Sequence, residues 1–228
     1  MKIISLNLAG RKENVESRLE KIAKFLDHER ADTVCLQEVT FDSNSNLVGR
    51  INELRSCKYK HVVADLAENF TDKNGKSQSD GLAIMTDLDI VKNNCSALTK
   101  VPEDKRGRPD FHKRIVQMVE FDNGMKLANL HLASNGNSYL QLRELLEKIP
   151  HDYILTGDFN IHKEIILRER DCWNEEYRCS VEYHDYISFP SEQCTFDYLL
   201  LPKTFEFTKI EAVQGLSDHC AMIYEFFV

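Results

Sequence analysis

The stretch YILTGDFN, residues 153–160, decides the fold. Its apolar beginning runs through Gly157 to an acid, Asp158, and an amide, Asn160. A buried strand that ends by presenting polar groups at a sheet edge has this pattern. Gly157 permits a tight turn or a close approach, and the two polar side chains, at alternate positions, are able to face a cation or a phosphate. Alone, the stretch fits a strand followed by an Asx turn or a helix cap equally well.

Further polar residues mark the ends of other apolar strands: Asn7, Glu38, His131, Asp197, Asp218 and His219. Each of these, taken singly, also fits a cap, a turn or a buried histidine with a satisfied hydrogen bond. Metal-assisted attack on phosphorus needs hard oxygen ligands, a group that aligns or deprotonates water, and positive donors to phosphate oxygens. Taken together, the set contains all three.

Hydrophobic periodicity predicts a mixed α/β layering rather than a purely parallel sheet, because strands both alternate with helices and pair as hairpins. We expect helices near 14–26, 47–57, 138–148 and 162–171. Strands are expected at 2–7, 33–38, 59–64, 81–86, 115–121, 126–132, 153–158, 196–201, 205–213 and 220–227. Asn123-Gly124 is the strongest hairpin signal, and residues 68–80 are expected to form a polar loop.

Composition indicates one ordinary globular domain, residues 1–228, with 42% hydrophobic and 29% charged residues. The hydrophobic run at the N-terminus is too short for a signal peptide, and no membrane span is predicted. The seven cysteines form no CxxC pair, so neither a disulfide framework nor a zinc site is indicated. We therefore expect an intracellular protein, a monomer without an obligate protein partner.

A basic segment lies between Lys100 and Arg114, although the net charge of the chain is −8. Its cations are Lys100, Lys105, Arg106, Arg108, Lys113 and Arg114, with His112 among them. The segment is either a solvated loop or a loop that meets a polyanionic substrate. Composition alone does not decide between them.

The motifs of the chain, in their order, resemble the endonuclease/exonuclease/phosphatase superfamily with its DNase I-like fold. They are SLN at 5–7, LQEV at 36–39, NLHLAS at 129–134, GDFN at 157–160, FDYLLL at 196–201 and SDHCAM at 217–222. The resemblance covers nearly the whole chain. It implies a four-layer α/β sandwich, in which two mixed β-sheets pack face to face between outer helices, with an active site where strand ends and loops converge.

The resemblance also implies a metal site. By this resemblance, Glu38 would be the principal metal ligand, and Asn7 and Asp218 would complete or support the site. The expected ion is Mg²⁺, for which Mn²⁺ is able to substitute. Asp158 and Asn160 are expected to orient the attacking water and the phosphate.

The same resemblance assigns the cationic groups. His219 is expected to pair with Asp197, and His131 to be a second imidazole facing the phosphate. Asp80 stands where a carboxylate supports that histidine in DNase I-like members. Arg114 stands where an arginine contacts phosphate.

His131 and the following QLRELL helix are similar to the branch that includes DNase I, tyrosyl-DNA phosphodiesterases and sphingomyelinases. We expect a Mg²⁺-dependent phosphodiesterase acting on nucleic acid, as a nuclease or at strand ends. The alternatives are a hydrolase of small phosphorylated metabolites or lipid headgroups, and an inactive scaffold. A basic groove near residues 106–114 favours nucleic acid, whereas a closed pocket favours a small substrate.

Overall fold

The computed structural model describes residues 1–10, 15–42, 45–71, 77–104, 106–107, 109–110 and 112–227. Asn14, at the expected start of the first helix, and Lys105 and Arg108 of the basic segment lie outside these residues. The strands are β1 (Lys2–Asn7), β2 (Thr33–Asp42), β3 (Ser45–Asn46), β4 (His61–Thr71), β5 (Ser77–Thr86), β6 (Ile90–Ala97), β7 (Ile115–Phe121), β8 (Lys126–His131), β9 (Tyr153–Asp158), β10 (Tyr177–Cys179), β11 (Asp197–Pro202), β12 (Glu206–Val213) and β13 (Ala221–Phe227). The helices are α1 (Val15–Glu29), α2 (Leu47–Leu54), α3 (Ser138–Lys148), α4 (Lys163–Arg168) and α5 (Ser180–Tyr183), with a 3-10 turn at Arg170–Cys172.

These strands form two mixed sheets. The first sheet has the order β12-β13-β1-β2-β5-β4, with β3 paired to β2, and the second has the order β10-β11-β9-β8-β7-β6. Each sheet has a parallel pair near its centre, β1 with β2 and β8 with β9. The other pairs are antiparallel.

The sheets pack face to face, and helices cover their outer faces. In β1, Ile3 packs between the sheets with residues such as Leu127 and Ile154, whereas Ile4 packs with helix α1. This alternation follows the two-residue period of a strand. A separate core joins the outer face of the second sheet to α3 and α4. The expected four-layer sandwich is therefore confirmed.

One expectation about local structure is wrong, and strand β6 was not predicted. The described residues of the expected loop at 68–80 lie in β4 and β5, which continue as paired strands with Asn69 opposite Ser79. Residues 72–76 of that expected loop lie outside the described residues. Backbone hydrogen bonds form this ladder whatever the polarity of the side chains, so polar composition misled the prediction. Strand β6 was missed because it is a largely exposed edge strand without alternating hydrophobic residues.

Two other predictions, the bounds of β1 and α3 and the hairpin at Asn123-Gly124, are confirmed. Strand β1 and helix α3 have the expected bounds. The turn of the β7–β8 hairpin contains Gly124 at φ +85°, which a glycine adopts readily. Among the helices of the described residues, none is long and apolar enough to cross a membrane.

Candidate active site

The polar strand ends of the two sheets meet at one end of the sandwich. Asn7 joins them, because its Nδ2 donates to Glu38 Oε1 (3.2 Å) in the first sheet and to Asp158 Oδ2 (3.0 Å) in the second. A second link runs from His219 Nδ1, just before β13, to Asp197 Oδ2 of β11 at 2.8 Å. The site is therefore built across the seam between the sheets.

A β-bulge presents Glu38. Residues 37 and 38 of β2 stand opposite the single residue Leu82 of β5, since the register shifts between Leu36 and Val39. Glu38 has φ +50°, a left-handed conformation that a glutamate seldom adopts. Such strain is characteristic of positions where the surrounding structure imposes a functional geometry.

Strand β9 delivers Asp158 through Gly157. Gly157 has φ +142°, and a Cβ atom there would lie 2.0 Å from Leu130 O of the parallel strand β8. Only glycine fits this close approach. Asp158 Oδ1 accepts a hydrogen bond from Asn160 N (2.9 Å), while Asn160 Nδ2 donates to Leu132 O (3.0 Å). Gly157 thus sets the spacing between β8 and β9, and the turn after it holds the Asp158 carboxylate in place.

His219 and Asp197 form a buried pair. Asp197 Oδ2 also accepts from Ser188 Oγ (2.6 Å), and His219 Nε2 lies 3.8 Å from Asp158 Oδ2. Burial acts to lower the pKa of His219, but the carboxylates of Asp197, Asp158 and Asp218 outweigh it and raise the pKa to about 9. His219 is therefore a cation at neutral pH, with Nδ1 held by Asp197.

His131 has the opposite protonation state. Its Nε2 lies 3.5 Å from Asp158 Oδ2. Burial, then the positive charges of Arg114, His219 and His112, hold the pKa of His131 well below its ordinary value. Burial, then the charge of Asp197, raises the pKa of Asp158 above the ordinary range. A neutral imidazole and a cationic one thus face the same carboxylate.

Asp80 and Arg114 line a small pocket beside His131. Asp80 Oδ1 accepts from the neighbouring Gly81 N (3.0 Å), and burial, followed by the charge of Glu38, raises the pKa of Asp80 to about 6. Arg114 is buried, and its Nε and Nη2 donate to the two oxygens of Asp110 (2.9 and 3.2 Å). His112, in the same pocket, pairs with Glu68.

The donor set at this end of the sandwich fits a divalent cation. Hard carboxylate oxygens prevail, and the repulsion between Glu38 and Asp80 is one that a bound cation would offset. Asn7 faces Glu38 with its nitrogen, because its Oδ1 accepts from Ala9 N (2.9 Å). Ligation by Asn7 would therefore require its amide to reorient, and that role stays a prediction.

Asp158, Asp197 and His219 also have ligand atoms within 4.8 Å of one another. Here, however, His219 and Asp197 already bond each other directly, which is the arrangement of an acid–base pair. Asp218 accepts a hydrogen bond from Ser217 Oγ (3.1 Å). Burial lowers the pKa of Arg18, and the negative charges of Asp218 and then Glu38 oppose that lowering.

Sequence reasoning missed three residues at the site. Ser188 supports Asp197, and the ring of Phe189 packs against that of His219 at 4.6 Å. Arg18 of α1 donates through Nη2 to Gly10 O and lies near Glu38 and Asp218. The two former residues lie in an irregular segment without a motif, and Arg18 occupies an ordinary polar position of an amphipathic helix, so no pattern marked them.

The fold and the convergent carboxylates and histidines define the class of phosphoric-ester hydrolases. The sequence profile of the Endonuclease/Exonuclease/phosphatase family matches residues 4–219. The chain belongs to this family, whose members are metal-dependent phosphoric-ester hydrolases. A search of curated protein sequences finds no match.

Solved structures share the fold at low sequence identity. An endonuclease/exonuclease/phosphatase from Beutenbergia cavernae DSM 12333 superposes with a TM-score of 0.76 at 17% identity, covering 99% of this chain and 71% of that one. The mannosyl-6-phosphatase Bt3783 of Bacteroides thetaiotaomicron has a TM-score of 0.67 at 17% identity, covering 100% and 99%. D. rerio TDP2, solved with a single-strand DNA product, has a TM-score of 0.66 at 18% identity, covering 100% and 99%.

Proposed function

We propose that the chain is a single-domain, Mg²⁺-dependent phosphodiesterase that acts on nucleic acid, as a nuclease or at strand ends. The observation that carries the proposal is the buried His219–Asp197 pair, whose imidazole faces Asp158 with Nε2 at 3.8 Å from Oδ2. A cationic donor and a general base thereby share one site with the half-buried Glu38 of the bulge.

In this proposal the ion would be held mainly by Glu38, with Asn7 and Asp218 in support. When bound, it supplies Lewis-acid stabilisation of charge on phosphate oxygens. Mn²⁺ would serve in its place, because it accepts the same oxygen ligands.

The side chains of the chain itself have distinct tasks. Asp158, fixed by Asn160 N, orients the attacking water and accepts its proton, for which its raised pKa suits it. His219 donates through Nε2 to a phosphate oxygen, and Asp197 keeps that imidazole cationic and oriented. His131, neutral, offers a hydrogen bond to the phosphate without adding charge. Asn160 is assigned to phosphate binding together with His131.

Nucleic acid is the favoured substrate because the fold is shared with a protein solved with a single-strand DNA product. Support from the basic segment is weaker than its composition suggested. Arg114 is bound to Asp110 and His112 to Glu68, so part of the positive charge is already balanced. Arg106 and Lys113 remain exposed and are available to meet a phosphate backbone.

A hydrolase of small phosphorylated metabolites is the second candidate. The pocket between His112–Ile115 and the β4–β5 hairpin favours it, because it brings Arg114 and His131 beside Asp80 in a confined space.

The test is a substrate panel of single-stranded, duplex and end-blocked oligonucleotides and small phosphate esters, each with Mg²⁺ and with EDTA. We expect Mg²⁺-dependent cleavage of at least one oligonucleotide. Selective cleavage of small esters would transfer the proposal to the second candidate. Inertness across the whole panel would favour a scaffold.

Matched variants connect the activity to the site. Glu38→Gln and His219→Gln are expected to abolish cleavage while leaving the circular dichroism spectrum unchanged. Glu175→Gln and His184→Gln make the same chemical changes at exposed positions and are the controls. A folded, active His219→Gln variant would refute the role assigned to this histidine.

A further inference from the structure

A buried amide, Asn129, reaches from the second sheet into the first. It lies on β8, two residues before His131, and is fully buried. Its Nδ2 donates to Leu36 O and to Ala83 O, both at 3.1 Å, and its Oδ1 accepts from Gln37 Nε2 at 2.8 Å. Both ends of one carboxamide are thus bonded to the opposite sheet.

The partners of Asn129 surround the bulge that presents Glu38. Leu36 and Ala83 are the last pair in regular register between β2 and β5 before the shift. Gln37 is the first of the two bulged residues. Asn129 therefore bonds the bulge on the side where the regular ladder ends.

We propose that Asn129 is a positioning residue for the metal ligand Glu38, an inference that rests on the proposed function. Glu38 has φ +50°, and a strained backbone of this kind persists only where surrounding contacts impose it. The bonds from Asn129 supply such contacts at the residues preceding Glu38. Through the same strand, Asn129 couples the position of Glu38 to that of His131.

The surroundings of Asn129 exclude easy replacement of its bonds. Leu36 and Gln37 are completely buried, as is Ala83, so water has little access to the carbonyl groups that Asn129 satisfies. Gln117 Oε1 lies 3.4 Å from Asn129 Nδ2, and Gln117 Nε2 is bonded to Asp65 Oδ2 at 2.7 Å. Loss of the carboxamide would remove the donor to Leu36 O and Ala83 O and the acceptor for Gln37 Nε2.

The test measures metal affinity without substrate. Mn²⁺ is titrated into the protein and followed by electron paramagnetic resonance, first with the wild type and then with Asn129→Leu, which has a similar shape but no polar atoms. We expect Mn²⁺ to bind Asn129→Leu about 10- to 100-fold more weakly, as is usual when a residue that orients a metal ligand is lost. The activation constant for Mg²⁺ should rise by a similar factor, with the substrate KM unchanged at saturating metal.

Thr33→Val is the matched control. Thr33 Oγ1 and Thr86 Oγ1 form a buried hydrogen bond of 3.0 Å between the same two strands, far along them from the bulge. This variant should lose stability but retain Mn²⁺ affinity. If Asn129→Leu does not fold, Asn129→Ser, which keeps a small polar group, takes its place with the same expected direction.

Each outcome decides the inference. Unchanged Mn²⁺ affinity in the folded Asn129 variant would overturn the positioning role while leaving the proposed function intact. Equal weakening in Thr33→Val would also overturn it, because general destabilisation would then account for the loss. Failure of the wild type to bind Mn²⁺ would overturn both the proposed metal site and the inference.

Discussion

Replacement of Gly157 by alanine tests the close approach of β8 and β9. The added Cβ would lie 2.0 Å from Leu130 O, and real Cβ contacts are essentially never shorter than 3.0 Å, so the strands would have to move apart by about 1 Å. The φ of +142° adds backbone strain. Strain of about 1–3 kcal/mol and overpacking of about 1–3 kcal/mol together predict a loss of about 2–6 kcal/mol in the free energy of unfolding.

Urea denaturation followed by fluorescence is a suitable assay, because the single tryptophan, Trp173, is buried and will report unfolding. Gly124→Ala is the control. Gly124 has φ +85°, but a Cβ there would meet nothing within 4 Å. It should lose only the strain, about 1–2 kcal/mol.

The difference in stability between Gly157→Ala and Gly124→Ala separates the effect of the steric contact from that of the backbone conformation. If Gly157→Ala loses no more stability than Gly124→Ala, the steric reasoning is refuted. Activity provides a second measure, since a displaced β9 moves Asp158 away from His131. We expect Gly157→Ala to lose activity at temperatures where it is still folded.

Three further changes test the charges around the site. Asp197→Asn should lower the pKa of His219 from about 9, as measured by NMR on the metal-free protein, and an unchanged pKa would contradict the pairing. In the wild type, the stabilisation of the fold by this pair is complete below about pH 6.5 and is lost as the pH rises through about 9. Asp110→Ala leaves the buried Arg114 guanidinium without its partner and should cost about 3–5 kcal/mol in urea denaturation, whereas a loss near zero would show that the pair is solvated. Ser188→Ala removes a donor to Asp197 and should cost about 1–3 kcal/mol, with unaltered stability counting against that bond.

Much of the fold was predictable because its strands end in recognisable ways. The pattern of YILTGDFN indicated both the strand and its polar end, and β9 ends at Asp158 as expected. The predicted pairing of His219 with Asp197 has the expected partners at 2.8 Å. Local pattern and motif order suffice for such features, because they recur at fixed places along the chain.

Other features depend on contacts that no local pattern specifies. Asn129 stands inside an apolar strand, where its amide only interrupts the hydrophobic run, and its partners lie 12 to 93 positions away. The bulge at Glu38 results from the pairing of β2 with β5, and strand pairing cannot be predicted from the sequence of one strand alone. The charge balance at Arg114 likewise depends on which acid reaches it.

The seam between the sheets has a mechanical consequence. Asn7 of β1 and His219, just before β13, bond Asp158 and Asp197 of the other sheet, so the groups that meet at the site are carried by different halves of the sandwich. A slip of one sheet by a single residue, about 3.3 Å, would break both links at once. The geometry of the site therefore depends on the alignment of the two sheets, and any displacement of one sheet against the other would separate the catalytic groups.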